Sequence, residues 1–155
     1  MTLSGSNLRM LREMHGLTQT DLAEALGITK QAVSQQERSN GEARIEILQR
    51  YADYFDVPVS LLVGIIKIGP YDMTMRPAIL PGDRVVVEPA VYVPDGRVAL
   101  LTVNGETLLR RVYPSPICLQ VVADNSRIWP PLYFTNEEKG QVRIHGRAIE
   151  VRRSI

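Results

Sequence analysis

The feature that most constrains the fold is a change of hydrophobic period near Gly64. Before it, apolar residues recur at three- and four-residue spacing: Leu8, Leu11 and Met14; Leu22, Ala25 and Leu26; Ile45, Leu48, Tyr51, Ala52 and Phe55. Such spacing lines up one face of a helix, so this stretch predicts short amphipathic helices. From Asp83 onward the chain runs in β-rich segments, RVVVEPAVYV, RVALLTV, ETLLRRVY, ICLQVVA and QVRIHGRAIEV, divided by turn-forming clusters such as Pro-Asp-Gly and Asn-Gly. Two periods in 155 residues predict an α + β chain of two domains. These are a five-helix bundle over 1–64, a connector over 65–72 and a mostly antiparallel β domain over 73–155.

Local punctuation sharpens this reading. Thr18 is placed to cap a helix from Gln19 to Leu26 that Gly27 ends, and Thr29 to cap the next, from Lys30 to about Arg38. Asp56-Val-Pro breaks a fourth helix, and Ser60 is a start for a short fifth. Asn104-Gly105 between two β runs predicts a two-residue hairpin, because both residues tolerate positive φ.

Composition narrows the function classes. No apolar run reaches the ~18 residues of a membrane span, and the N-terminus lacks a signal peptide's basic start and apolar core, so a cytoplasmic protein without a membrane partner is expected. Cys118 is the single cysteine and cannot form an internal disulfide. It is expected in a strand, and His15 and His145, with no ligand spacing around them, are expected to be structural or solvated. No cofactor or metal is expected. Residues 1–64 carry six basic side chains (Arg9, Arg12, Lys30, Arg38, Arg44, Arg50) against eight acids (Glu13, Asp21, Glu24, Glu37, Glu42, Glu46, Asp53, Asp56). A DNA-binding role for this half would therefore need its cations gathered on one face.

GLTQTDLAEALGITKQAVSQQERSN places two short helices around Gly27-Ile28-Thr29, the layout of a helix-turn-helix. A helix fits the major groove, and side chains near its N-terminal end meet base edges. Lys30, Gln31, Ser34 and Gln35 form a polar face on the second helix, with Ala32 and Val33 turned toward the first. Gln pairs with adenine and Lys donates to guanine. Arg38, Asn40 and Arg44 are candidates for phosphate contacts, Arg44 equally for a solvated surface. The full DNA-binding set is Gln19, Thr29, Lys30, Gln31, Ser34, Gln35, Arg38 and Asn40. A plain helical bundle with Gln-rich solvent faces is the alternative.

From Leu8 to Leu62 the pattern LRxLRExxGLTQxxLAxxLGIT, followed by a recognition helix, resembles the lambda-repressor-like (XRE) family. The resemblance implies that Lys30, Gln31 and Gln35 read bases, that Gln19 buttresses or touches phosphate, and that Arg12 and Glu37 form an ion pair. Ser39 and Ala43 depart from the family's usual glycine and proline in the following loop.

Thr74-Met75-Arg76-Pro77 followed by Gly82-Asp83 and a hydrophobic strand resembles the LexA-like self-cleaving repressors, as do Leu109-Arg110-Arg111-Val112, Ala123-Asp124-Asn125 and the terminal VRIHGRA. The resemblance implies a dimerising β domain, with Thr74 at the family's nucleophilic serine position and Arg110 at its general-base lysine. That chemistry needs a neutral amine to take the hydroxyl proton. An arginine, whose pKa lies far above the physiological range, is neutral in only about one molecule in a million at pH 7. Neither Ala-Gly nor Cys-Gly, the bonds such repressors cut, occurs in the chain. Thr74 and Arg110 are accordingly degenerate positions, with Arg110 expected either to donate to the Thr74 hydroxyl or to lie exposed on its strand. Tyr113, Trp129, Tyr133, Phe134 and Ile149 are candidates for a subunit interface, with core placement expected for all but one or two.

The function expected is a dimeric, sequence-specific DNA-binding repressor of phage, prophage or bacterial stress type. It would bind a palindromic operator and be removed by an antirepressor protein, a protease or a small ligand instead of by self-cleavage. A self-processing peptidase using Thr74 and a protein-interaction adaptor without DNA binding are the alternatives.

Overall fold

The computed structural model describes residues 3–38 and 44–153. The chain divides into two compact units between Ile65 and Ile66. In the first, α1 (Leu3–Met14), α2 (Gln19–Leu26), α3 (Lys30–Arg38), α4 (Ile45–Phe55) and α5 (Val59–Val63) follow in order. Their apolar faces converge on Leu8, Leu11, Leu22, Val33, Leu48, Tyr51, Phe55 and Leu62, all buried.

The helix ends are built as the sequence predicts. The Asp21 N–H donates to Thr18 Oγ1 at 3.0 Å and the Thr18 N–H to the Asp21 carboxylate at 2.9 Å, a reciprocal capping box. Thr29 accepts from the Ala32 N–H at 3.0 Å. Gly27 ends α2 in the left-handed region at φ 67°, where a Cβ would be strained. Asp56 ends α4 the same way at φ 53°. The fifth helix begins at Val59 behind Pro58, one residue ahead of the Ser60 start expected.

The second unit is built on a seven-stranded sheet ordered β1-β2-β7-β3-β4-β5-β6. The strands are β1 (Ile65–Lys67), β2 (Arg84–Pro89), β3 (Val98–Val103), β4 (Glu106–Pro114), β5 (Cys118–Val122), β6 (Leu132–Thr135) and β7 (Val142–Arg152). The pairings from β2 through β6 are all antiparallel. Asn104 and Gly105 turn the β3–β4 hairpin with φ 50° and 85°, as the dipeptide predicts.

Two features depart from expectation. Residues 65–67 of the expected connector form an edge strand, and Ile68 exchanges backbone hydrogen bonds with Gly82 and Asp83 at 3.0 and 2.8 Å. Much of this segment is thus part of the β unit. β6 was also not foreseen, being four residues long behind Pro130-Pro131.

β7 carries two extra residues. Val86 pairs with Glu150 but Val87 with Ala148, which leaves Ile149 bulged. Leu100 pairs with Gly146 but Leu101 with Ile144, which does the same to His145. One sheet face holds Ala99, Leu101, Val112, Leu119, Val121 and Phe134 as its core. The register of Ala99 with Arg110 puts that arginine on the same apolar face.

Candidate nucleic-acid interface and the Thr74 region

α3 presents Lys30, Gln31, Gln35 and Arg38 as exposed side chains with Ser34 half-buried among them, while Val33 and Glu37 point inward. Spacings of three and four residues place 31, 34, 35 and 38 on one stripe. Beneath it lies a polar support. Arg12 Nε and Nη2 donate to the two Glu37 oxygens at 2.5 and 3.2 Å, and Arg12 Nη1 donates to the Leu17 carbonyl at 2.7 Å. Gln19 Nε2 donates to Glu37 Oε2 at 2.9 Å. Glu37 is only 2% exposed, so α3 is pinned to α1 and to the start of α2 through one buried carboxylate. Hydrogen bonding to Glu37 raises the Arg12 pKa above its usual value.

Gln19 therefore buttresses Glu37 here. Thr29 is engaged as a helix cap and is also exposed. Arg38 Nε leans on the Ser34 carbonyl at 3.4 Å. Asn40, with Ser39 and Ala43, lies outside the described residues. Arg44 is exposed ahead of α4 without a side-chain cap bond. Because Glu37 is neutralised by Arg12, the α3 stripe itself carries only cationic charge, from Lys30 and Arg38. Sequence reasoning missed Arg50, whose Nη1 donates to the Leu26 carbonyl at 3.4 Å and closes the C-terminal end of α2.

In the β unit, Thr74 Oγ1 donates to Asp72 Oδ1 at 2.6 Å, and the Thr74 N–H donates to the same oxygen at 3.0 Å. The Thr74 carbonyl accepts from the Asn125 N–H at 2.9 Å. Arg110 does neither thing expected of it. It is 4% exposed, and its guanidinium lies over the Trp129 ring at 4.5 Å from the centroid. Among the described residues its one hydrogen bond runs from Nη1 to the Leu109 carbonyl at 2.7 Å. The Thr74 hydroxyl goes to Asp72 because a carboxylate two residues back reaches both its donors at once. Asp72 is a site residue the reading missed, although Asp-x-Thr is a local turn pattern. Arg111, on the opposite face, forms a two-point ion pair with Asp124 at 2.8 and 2.9 Å and donates to the Gly96 carbonyl.

Of the interface candidates, Phe134 is buried and Trp129 packs half-buried against the core. Tyr113, Tyr133 (60% exposed) and Ile149 (50%) are on the surface. Three exposed side chains, where one or two were expected, reflect strand parity and the β7 bulge that turns Ile149 outward. Cys118 opens β5, and His145 Nε2 lies 2.7 Å from Thr102 Oγ1. His15 Nδ1 lies 2.9 Å from the Leu11 carbonyl. Among the described residues no group of His, Cys, Asp or Glu is placed to hold a metal ion, and no helix is long and apolar enough to cross a membrane.

Residues 8–62 match the helix-turn-helix family HTH_3, so the chain carries a helix-turn-helix domain there. The chain is 35% identical over 65 residues to a candidate HTH-type transcriptional regulatory protein of Pyrococcus furiosus, a match covering 42% of this chain and 21% of that one. A second candidate HTH-type regulator, from Pyrococcus horikoshii, is 29% identical over 73 residues, covering 47% and 23%. The chain spans less than a quarter of the length of these curated relatives. Among solved structures, an HTH_3 family transcriptional regulator from Vibrio cholerae aligns over 99% of this chain and 97% of its own at 12% identity and a TM-score of 0.37. FeII HppE in complex with substrate aligns over 98% and 99% at 14% identity and a TM-score of 0.39.

Proposed function

We propose that the chain is a sequence-specific DNA-binding transcriptional repressor that acts as a dimer in the cytoplasm. The observation that carries this reading is the α3 stripe of Lys30, Gln31, Ser34, Gln35 and Arg38. It is free of acidic side chains and mounted on a buried Arg12–Glu37–Gln19 support. Gln31 and Gln35 would read base edges, Lys30 a guanine or a phosphate, and Arg38 with Asn40 the backbone. The names of the relatives that the chain matches in part support the same role.

One such module has a small footprint, and a two-fold pair would read a palindromic operator with half-sites about one helical turn apart. The exposed Tyr113, Tyr133 and Ile149 of the β unit are the side chains we assign to that pairing. The β unit is then a LexA-like dimerisation domain without self-cleavage. In support, the side chain at the position matching the family's general-base lysine is the Arg110 guanidinium, which keeps its proton and donates to the Leu109 carbonyl, not to Thr74. Release from DNA would fall to an antirepressor protein or another external signal. The test is a mobility-shift assay on selected duplexes at stated salt, paired with sedimentation of the free protein. A dimer retarding a palindromic duplex supports the reading; a monomer that retards none refutes it.

A further inference from the structure

We propose that Arg110, covered by Trp129, is a binding site for the carboxylate group of a small organic acid. The sheet register puts Arg110 opposite Ala99 on the apolar face, where its neighbours are Leu101, Leu108 and Val112. Its Nε is buried and has no hydrogen-bond partner among the described residues. Burial is strongly unfavourable for a lone charge. Although desolvation pushes its pKa down, arginine keeps its proton.

Asp72, the acid whose charge bears most on Arg110, has Oδ1 committed to both Thr74 donors. Nη1 is used on the Leu109 carbonyl, which leaves the Nε/Nη2 edge, the fork that matches two carboxylate oxygens. Arg111 on the same strand is neutralised by Asp124, and the charges of Asp72 and Glu106 act on Arg110 without an ion pair to it among the described residues. Beside those acids a carboxylate monoanion meets less repulsion than a phosphate dianion would. Trp129 covers the guanidinium from one face, 4.5 Å from the ring centroid, so a ligand could meet it only along its edge. None of this depends on whether α3 binds DNA.

Trp129 is the chain's single tryptophan, so its emission reports on the site directly. The full chain is titrated with sodium acetate, sodium chloride and inorganic phosphate at matched ionic strength. A saturable change specific to acetate is expected, abolished in Arg110→Met and weakened about tenfold in Arg110→Lys, which keeps the charge but lacks the fork. Equal responses to acetate and chloride would overturn the proposal, as would tighter saturation by phosphate. So would a saturable acetate response surviving in Arg110→Met. Should the Met variant fail to fold, the Lys variant decides: an unchanged acetate affinity there rejects the site.

Discussion

Glu37, near the end of α3, binds Arg12 of α1 through both carboxylate oxygens, at 2.5 and 3.2 Å, with its side chain 3% exposed. A pair this buried contributes little relative to an apolar pair, yet losing one partner strands the other. Arg12→Met alone should therefore destabilise the fold by about 3–5 kcal/mol, and Arg12→Met with Glu37→Met by much less. Urea denaturation of the two single variants and the double variant, read as a cycle, checks this. Additive losses would mean the two side chains are not coupled.

The same corner of the helical unit depends on Gly5. A Cβ there would lie 2.6 Å from the Glu37 carbonyl oxygen and 3.1 Å from that of Gln36, both backbone atoms that cannot swing away. Gly5→Ala should cost about 1–3 kcal/mol despite alanine's better helix propensity. A melting temperature equal to or above that of the parent would show that α1 does not approach α3 so closely.

Thr29→Ala removes the acceptor of the Ala32 N–H and should cost about 1 kcal/mol, measurable by denaturant titration. Thr29→Ser, which keeps the hydroxyl, should recover most of it.

The acid side of the stability curve should report Asp83. Arg153 donates to both its oxygens at 2.9 and 2.8 Å and the Leu80 N–H to one at 2.8 Å, which together pull its pKa from 3.8 to about 2. Its folded pKa lies below its unfolded one, so its contribution is complete above about pH 4. It fades as the pH falls toward 2. Melting temperatures of the parent and of Asp83→Asn between pH 6 and pH 2 should differ most at the upper end and converge at the lower. A constant gap would mean that Asp83 does not titrate in that range.

Much of this architecture could be read from residue order alone, because the signals are local. The 3.6-residue period, the Thr18 and Thr29 caps, the Gly27 turn and the Asn104-Gly105 hairpin each depend on a few adjacent residues. Edge strands β1 and β6, three and four residues long, are too short to show a period. Parity in β4 was ambiguous: Leu108-Arg110-Val112 and Leu109-Arg111-Tyr113 each hold apolar residues and one arginine, so neither face could be chosen. Pairing with Ala99 settles it, and that register is a long-range fact. The α3 stripe was legible as a helix face. The buried support joining residues 12, 19 and 37 could be anticipated only by resemblance, because three distant segments must fold before it exists.

The most direct test of the central claim is binding-site selection with the parent, Gln31→Ala and Gln35→Ala at one fixed salt concentration. The parent should select a two-fold symmetric sequence. Each variant should fold normally yet lose preference at one position per half-site, with discrimination there falling by about 1–3 kcal/mol. If both variants select the same sequence as the parent with undiminished preference, α3 does not read bases and the account is wrong.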